Sequence, residues 1–419
     1  MKSFCTSALV LLAGLGWAPS QAAAQAGAYG SQTLLPLPAV TPVGVVTASY
    51  DLPAGGTGPD GSMFASSQQE PVPESGEVID GSSGPSQFQQ AVQSDWTDCG
   101  ECDQSSRGHW FGKLGALVMG RNRPNPYWTT SDINTGANLL NTQDAGANWT
   151  GGWEVTAGYM CSNRCGTGPG FGFTYWGLGH MPGFAEINSA TNTLGTPIDL
   201  TGVTIGGAPA SDFFENSASQ RIIRDDRVDN FEANFYFGTW NVNRWTLVPF
   251  AGFRYLRFDE RLTFAGLASG STWGASGGTD EAYLSFRTVN NLFGGQIGTY
   301  ANYWVTDRFG LFVGPKVGLF GNQMNDRTLL YRGDFVTTYD IAAYKSDFSL
   351  LGEIDTGFTY FFQRGLFAYM GYRVVGITNV ALGDNQFLPF LSDAQGFSEV
   401  KQSGSLILHG VMMGGGVMF

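Results

Sequence analysis

The sequence predicts an all-β fold: an antiparallel transmembrane β-barrel of about ten strands, preceded by a disordered N-terminal segment. Three observations predict it. The chain opens on an export signal, ten later segments alternate apolar and polar residues, and the spacers between those segments alternate between short and long. The alternatives to ten strands are eight or twelve.

The composition favours strands over helices. Sixty Gly, 31 Phe, 16 Tyr and 11 Trp stand beside only 14% charged residues, and the mean hydropathy is -0.07. Aromatic-rich, Gly-rich chains favour β-structure. Every apolar run after the N-terminus is broken by Gly, Asn or a charge, so no transmembrane helix is predicted. Because only helices and closed barrels satisfy the backbone in lipid, the exported chain is either soluble or a barrel.

Residues 1–26 are predicted to be a secretory signal peptide. Lys2 is followed by the apolar stretch Phe4–Trp17 and then by small residues, with cleavage after Ala24 or Ala26. The alternative is a membrane anchor, which needs about 18 or more apolar residues. This stretch is shorter, so it indicates export.

Residues 27–98 are predicted to be a disordered, acidic periplasmic segment, rich in Pro, Gly, Ser and Gln. From Ser3 to Ser106 there is no Lys or Arg, and this region holds most of the net charge of -13. Such a segment cannot bury enough apolar surface to order itself. A plain linker is the simplest role for it. The chain has no basic stripe, which excludes nucleic acid as a partner.

The barrel is predicted over residues 99–419. The ten predicted strands are 108–121, 148–161, 168–180, 228–241, 243–258, 284–304, 307–321, 346–362, 364–378 and 404–419. The long spacers are 122–147, 181–227, 259–283, 322–345 and 379–403. Outer-membrane barrels have short periplasmic turns and long external loops, so this pattern predicts an outer-membrane location with lipid as a partner. Pro249 and Pro315 fall inside strands and predict bulges or strand ends there, because proline donates no ladder hydrogen bond.

Eight charged residues are predicted to face the barrel lumen, because they alternate with apolar residues along the strands. They are Lys113, Glu154, Glu232, Arg254, Lys316, Glu353, Asp355 and Arg373. A base on the lipid face at the midplane would cost about 2–4 kcal/mol. Two interpretations stay open: a selectivity lining, or a paired network that fills the interior. The network is favoured, because about eight strands are just filled by side chains whereas 16–18 leave a channel.

The last strand and the cysteines suggest further roles. Val417 and Phe419 close an alternating apolar strand, similar to the C-terminal signal that the barrel-assembly machinery binds in outer-membrane proteins. Cys99, Cys102, Cys161 and Cys165 are all expected on the periplasmic side. An even number of cysteines in an oxidising compartment predicts disulfides, with the pairing undetermined. A four-cysteine zinc site or a redox pair is the alternative.

Catalysis is not predicted. The histidines are His109, His180 and His409, and in this topology they do not converge. Catalysis would need a His in reach of a carboxylate or a Ser. His180, near the external rim, is the one candidate. We therefore expect no enzyme activity, metal or cofactor.

The barrel region also resembles a known family. The segments that carry the resemblance are Trp110–Arg121 (WFGKLGALVMGR), Phe171–Gly179 (FGFTYWGLG), Pro249–Glu260 (PFAGFRYLRFDE), Asn290–Gly298 (NNLFGGQIG) and Gly371–Phe387 (GYRVVGITNVALGDNQF). In this order they resemble β-barrel porin family 7, outer-membrane barrels typical of planctomycetes. The first strand departs most, since it lacks an acidic residue before its Leu. The resemblance implies location and architecture and says little about cargo.

The expected function is therefore that of an outer-membrane barrel with a structural or narrow-pore, porin-like role and long external loops. Surface adhesion or ligand binding by those loops is the alternative, with 181–227 the longest. A hydrolase at the rim is the least favoured.

Overall fold

The computed structural model describes residues 108–123, 125–161, 168–363 and 365–419. Ten antiparallel strands in these residues form a closed barrel, as the sequence predicts. They are β1 (His109–Arg121), β2 (Thr150–Met160), β3 (Gly170–Asn188), β4 (Ser219–Tyr236), β5 (Trp245–Leu267), β6 (Glu281–Trp304), β7 (Phe309–Arg332), β8 (Thr337–Gln363), β9 (Leu366–Val380) and β10 (Gly404–Met418). The predicted signal peptide and the segment 27–98 lie outside the described residues.

The ring closes between β1 and β10. Their register runs from Phe111 opposite Met418 to Arg121 opposite Leu408. Each remaining strand pairs with its neighbour in sequence. We call the barrel end with connections 161–169, 237–244, 305–308 and 364–365 the turn end. The opposite end, with connections 122–149, 189–218, 268–280, 333–336 and 381–403, is the loop end.

Several strands are longer at the loop end than the sequence pattern predicts. The predicted spacer 259–283 is reduced to 268–280, and 322–345 is reduced to 333–336. In these stretches many outward side chains are charged or polar, as at Asp259, Arg261 and Arg327, so the apolar alternation fades while the backbone pairing continues. The expectation of long loops was therefore wrong for 322–345, which is a strand hairpin.

The two strand prolines lie inside strands, and neither produces a bulge. Pro249 is opposite Thr299 of β6, and on its other side the pairing of β5 with β4 begins only at Phe250. Pro315 is opposite Ile354 of β8, and its ladder with β6 is interrupted between Lys316 and Val313. In both cases the missing N–H falls where one neighbour does not pair. Of the two expectations, bulges or strand ends, no bulge forms, whereas a ladder does end beside Pro249 and is interrupted at Pro315.

The connections contain short elements. Trp128–Asp132, Asn138–Asn141 and Leu194–Gly195 form a three-stranded sheet at the loop end, and Thr204–Ile205 pairs with Ala208–Pro209. Trp240–Val242 pairs with the start of β5. Helices α1 (Ser211–Phe214) and α2 (Gly383–Gln386) and the 3-10 turn Gly396–Ser398 complete the set. In the described part of the chain, no helix is long and apolar enough to cross a membrane.

The barrel interior is packed in layers. Strand β4 contributes a side chain to every layer. From the turn end, its inward residues are Tyr236, Asn234, Glu232, Asn230, Val228, Asp226, Arg224, Ile222 and Gln220. Aromatic side chains pack at the turn end, then a charged layer, then an apolar cluster that includes Trp176, Leu256 and Phe320. A second charged layer follows. Loop residues such as Phe213 and Phe387 pack into the loop end.

The outer wall carries a belt of exposed apolar side chains on all ten strands. The belt comprises Leu114, Val118, Trp153, Val155, Phe173, Phe231, Phe235, Phe253, Phe293, Ile297, Leu311, Val317, Leu319, Phe348, Leu350, Ile354, Phe358, Met370, Val374, Met413 and Val417. Exposed Trp110, Trp240 and Trp245 lie toward the turn end. An apolar surface of this extent is unusual for a protein surrounded by water alone.

Candidate functional site

The structure brings the eight sequence-predicted lumen charges together in one cluster, which we call the lumen network. Strand register creates it: Glu232 is opposite Arg254, Lys316 is opposite Glu353, and Asp355 is opposite Arg373. Each pair lies on the inward face of adjacent strands, where side chains directly opposite one another are in contact range.

Glu353 is the centre of the network. Its carboxylate lies 2.7 Å from Arg254 Nη2, 2.7 Å from Lys316 Nζ and 3.5 Å from Arg373 Nε. Lys316 also approaches Glu232 at 3.4 Å and Asp355 at 3.8 Å. One carboxylate thus bridges three cations.

The network continues across the lumen to the first two strands. Arg373 contacts Asp355 at 2.7 Å and Glu154 at 2.6 Å, and Glu154 is 2.7 Å from Lys113. The Lys113 side chain is 26% exposed, whereas the other seven are at most 5% exposed. Four bases and four acids therefore neutralise one another in an interior that is largely shielded from solvent.

Neighbouring side chains fill the space around the network. The buried Trp176 ring lies 5.5 Å from the Arg373 guanidinium and 6.0 Å from that of Arg254, distances suited to cation–π attraction. Gln296 donates to Glu232 at 2.9 Å, and Arg254 donates to Asn230 at 2.6 Å. Charges engaged in this way are held by one another, which suits packing better than transient binding of ions.

A second charged cluster, which we call the loop-end network, lies nearer the loops and was missed by the sequence reasoning. Arg121 contacts Asp226 at 2.8 Å and Glu260 at 3.0 Å. Arg224 contacts Glu260 and, at 2.6 Å, Asp384 of α2. All five side chains are buried.

The loop-end network ties two long connections to the wall. Arg224 donates to the carbonyls of Thr142 at 3.2 Å and Ala145 at 3.1 Å, in the 122–149 connection. Through Asp384 it also holds the 381–403 connection, where the Gly383 N–H donates to Glu260 at 2.9 Å. One arginine thus fixes two connections in the barrel mouth.

Loop groups also hold one another. Asp132 accepts hydrogen bonds from the Thr135 N–H at 2.8 Å and, from the 189–218 connection, the Thr193 hydroxyl at 3.0 Å. The bonds from Thr135 hold the pKa of the Asp132 carboxyl below its usual value. The connections at this end therefore form an ordered cap.

A signal for the loop-end network was present in the sequence. Even-numbered positions of β4 continue inward from Glu232 to Asp226 and Arg224, and those of β5 continue from Arg254 to Glu260. The prediction placed 181–227 and 259–283 in loops, so this parity was not followed. Asp384 carries no periodic signal, because it lies in a connection.

The other predicted residues lie apart from these networks. Cys161 follows β2 at the turn end; Cys99, Cys102 and Cys165 lie outside the described residues, so the pairing stays a prediction. His180 sits at an irregularity in the β3–β4 ladder, on the exposed wall, 2.8 Å from Asp225. His409 contacts the Tyr372 hydroxyl at 2.6 Å. Val417 belongs to the belt, and the Phe419 N–H donates to the Trp110 carbonyl at 2.9 Å.

No family model and no curated protein matches the chain. Among solved structures, it is similar to the outer membrane protease OmpT of Escherichia coli, with 11% identity, a TM-score of 0.41 and coverage of 75% of this chain and 97% of that one. The NalP translocator domain of Neisseria meningitidis matches with 10% identity, a TM-score of 0.30 and coverage of 80% and 95%. A major outer membrane protein of Thermus thermophilus matches with 10% identity, a TM-score of 0.27 and coverage of 74% and 99%. Similarities at these TM-scores assign no function to this chain.

Proposed function

We propose that this chain is an outer-membrane β-barrel with a closed, packed lumen and a structural role in the cell envelope. The observation that carries the proposal is the lumen network, in which eight inward charges pair with one another and all but Lys113 are shielded from solvent. An open porin would present such charges to a water-filled channel.

The membrane location is supported by the outer wall. The belt puts apolar side chains on the lipid-facing side of every strand, while charges occupy the inward face at the same depth. This apolar-out, polar-in alternation is typical of transmembrane barrels. The tryptophans toward the turn end suit a membrane–water interface.

The closed lumen is supported by the layers above and below the lumen network. A water path would have to cross the apolar cluster around Trp176 and Leu256, the loop-end network, and the cap around Phe213 and Phe387. The side chains named in these layers are buried. A structural role is therefore favoured over a narrow-pore role.

Two measurements on the refolded full-length protein test the proposal. The folded barrel should migrate differently from the boiled protein on SDS gels, and in planar bilayers it should give no large, stable open-channel steps. Identical mobility before and after boiling would refute the barrel in the membrane. Porin-like steps from a heat-modifiable sample would refute only the closed lumen.

A second candidate function is binding at the external surface. Strands β7 and β8 continue past the belt as a hairpin whose tip carries Phe335, 82% exposed and at φ 67°. A bulky non-glycine residue in the left-handed region is strained, and strain at an exposed aromatic suggests a contact site. Loss of cell-surface adhesion in Phe335→Gly, compared with Val336→Gly, would support this candidate.

The proposal carries no catalytic role. His180 and Asp225 face outward from the wall, with side chains 69% and 42% exposed. Such an exposed pair lacks the enclosed setting in which acid–base groups act. Membership of β-barrel porin family 7 is part of the proposal, and it rests on the strand segments that resemble that family.

A further inference from the structure

Above the belt, on the loop-end side, arginines gather on the outer wall of three adjacent strands. Arg261 of β5 is directly opposite Arg287 of β6, and Arg287 is directly opposite Arg327 of β7. Arg257 lies nearer the belt on β5. Like charges directly opposite one another across strands are destabilising, so this row calls for an explanation.

The available carboxylates compensate for only part of this charge. Asp259 accepts from Arg257 at 3.0 Å and from Arg287 at 2.8 and 3.1 Å. Asp340 accepts two hydrogen bonds from Arg327, both at 2.7 Å. In the described part of the chain, Arg261 has no acidic side chain within ion-pair distance. On β5 to β8 the outward charges are four arginines against Asp259, Asp340 and, further toward the loops, Glu281, whose carboxylate already accepts from the Tyr283 hydroxyl.

Three of these arginines, Arg257, Arg287 and Arg327, line a shallow cleft of about 300 Å³, which we call the arginine cleft. Arg261 lies beside it, directly opposite Arg287. The rim of the cleft carries three guanidiniums that are roughly half exposed, those of Arg257, Arg287 and Arg327. Asn291 and Asn325 add amide groups, and Tyr344, 76% exposed, adds a hydroxyl. The buried Asp326 also lines it. Planar guanidiniums gathered around one cleft suit phosphate oxygens, which they can hold with paired hydrogen bonds.

The position of the cleft relative to the belt points to a lipid. On β6 and β8 the belt ends at Phe293 and Phe348, which share one register row with Tyr255 of β5 and Gly321 of β7. The next row toward the loop end is Arg257, Asn291, Gln323 and Ser346, which is entirely polar. A ligand in the cleft would have its apolar part against Phe293 and Phe348 and its anionic part at the arginines.

The distance of the arginine row above the end of the belt indicates how tall the lipid headgroup must be. From Phe293 to Arg287 the strand rises about 20 Å along its own direction at about 3.4 Å per residue, or about 15 Å above the belt at a tilt of about 40°. A compact phospholipid headgroup layer is only about 5–8 Å thick. Arg257 is within that layer, whereas Arg261, Arg287 and Arg327 stand above it.

We propose that the arginine cleft binds the phosphorylated sugar headgroup of a glycolipid in the outer leaflet. The acyl chains lie on the belt and the phosphates bridge the arginine row, which offsets its charge repulsion. The inference rests on the proposed membrane location and does not depend on whether the lumen is closed.

The test measures lipid binding to the refolded full chain in neutral detergent by native mass spectrometry. The probes are a bisphosphorylated, acylated diglucosamine lipid, the same lipid without phosphates, phosphatidylglycerol and inorganic phosphate. We expect the bisphosphorylated glycolipid to bind at least about tenfold more tightly than its phosphate-free form or phosphatidylglycerol, as charge-assisted bonds to several arginines require.

The decisive variant is Arg261→Gln/Arg287→Gln/Arg327→Gln, which should lose at least about tenfold in affinity for the bisphosphorylated glycolipid. The control Arg123→Gln/Arg244→Gln/Arg308→Gln removes the same charge outside the cleft and should bind as the parent does. Arg287→Gln alone is the fallback if the triple variant does not fold, with a smaller loss in the same direction.

Three results would overturn the inference: unchanged binding by the cleft variant, equally tight binding of phosphatidylglycerol, or displacement of the glycolipid by inorganic phosphate at equal concentration. Each sample is first checked for heat-modifiable mobility. A chain that fails this check contradicts the proposed function, whereas a folded barrel that fails to bind contradicts only the arginine cleft.

Discussion

Glu353 shows how much of the interior depends on one side chain. Its carboxylate is within 3.5 Å of Arg254, Lys316 and Arg373, and it is fully buried. Removing one partner of a buried ion pair leaves an uncompensated charge, which costs more than the pair contributes. The interior should therefore be far more sensitive at this position than at charges on the wall.

We predict that Glu353→Gln lowers the free energy of unfolding by about 3–5 kcal/mol, because three buried cations lose their shared carboxylate. Denaturant titration of the protein refolded into lipid vesicles measures it. Arg227→Gln, which removes an exposed ion pair with Asp229, is the control and should change stability by less than about 1 kcal/mol. Equal effects of the two changes would contradict a packed lumen network.

For individual residues, the sequence predicted which face of the strand each side chain occupies but not which partner it contacts. Alternation placed Lys316 and Glu353 on the inward face, because the neighbouring positions Val317 and Ile354 are apolar. It did not show that the two lie opposite one another, since register depends on pairing between strands. The role of Glu353 as a bridge of three cations required the closed ring.

At the scale of elements, the connections at the loop end behave as parts of the core. Residues of 122–149, 189–218 and 381–403 pack with the loop-end parts of β4 to β7 in one apolar cluster. Arg224 adds polar anchors to two of these connections. The cap should therefore loosen when that arginine is removed.

We predict that Arg224→Ala increases the rate of tryptic cleavage after Lys401 by at least about tenfold, because Asp384 then loses its buried partner and the 381–403 connection detaches. Timed proteolysis of the protein in vesicles, read by mass spectrometry, measures it. Arg221→Ala, on the same strand but stacked outward on Trp273, is the control. An unchanged rate in Arg224→Ala would show that apolar packing alone holds the cap.

The strands were predictable where the outward side chains are apolar and the inward side chains are polar, because the two then alternate along the sequence. Beyond the belt both faces of β5 to β8 meet polar or mixed surroundings, so the alternation that identified strands is lost although pairing continues. The prolines marked ladder ends rather than bulges for a related reason. A proline predicts a bulge only where both neighbours would bond to it, and Pro249 and Pro315 each have one side without pairing.

At the scale of the molecule, the seam between β1 and β10 turns a sheet into a barrel. Residues at opposite ends of the described chain, such as Ala116 and Met413, are direct partners there. Both point outward, into the belt region. Side chains directly opposite in an antiparallel pair have Cβ atoms about 4.5–5.5 Å apart, close enough for a disulfide after small adjustment.

We predict that Ala116→Cys/Met413→Cys forms a disulfide in the folded barrel, with the native cysteines changed to serine. Thiol alkylation followed by mass spectrometry measures it. The control Ala116→Cys/Val411→Cys is diagonal by one step and should remain reduced, since its Cβ atoms are about 7 Å apart. A disulfide in the control but not in the test pair would place the seam in another register.

The whole architecture was the most predictable level, because strand number, spacer alternation and inward charges agree with one another. The sequence could not show that the interior is filled from end to end. That result depends on three connections folding back into the barrel, and connections carry no periodic signal.

Under the proposed membrane location, the apolar cluster midway along the interior has a consequence for the unfolded chain before it inserts. At this depth the strands carry apolar side chains on both faces: in β10, Leu406 and Leu408 point to the interior cluster and Ile407 points outward. While the unfolded chain is in water, neither face is buried, so these stretches resemble aggregation-prone segments. A packed interior thus makes the unfolded chain more prone to aggregation than the chain of a water-filled barrel would be.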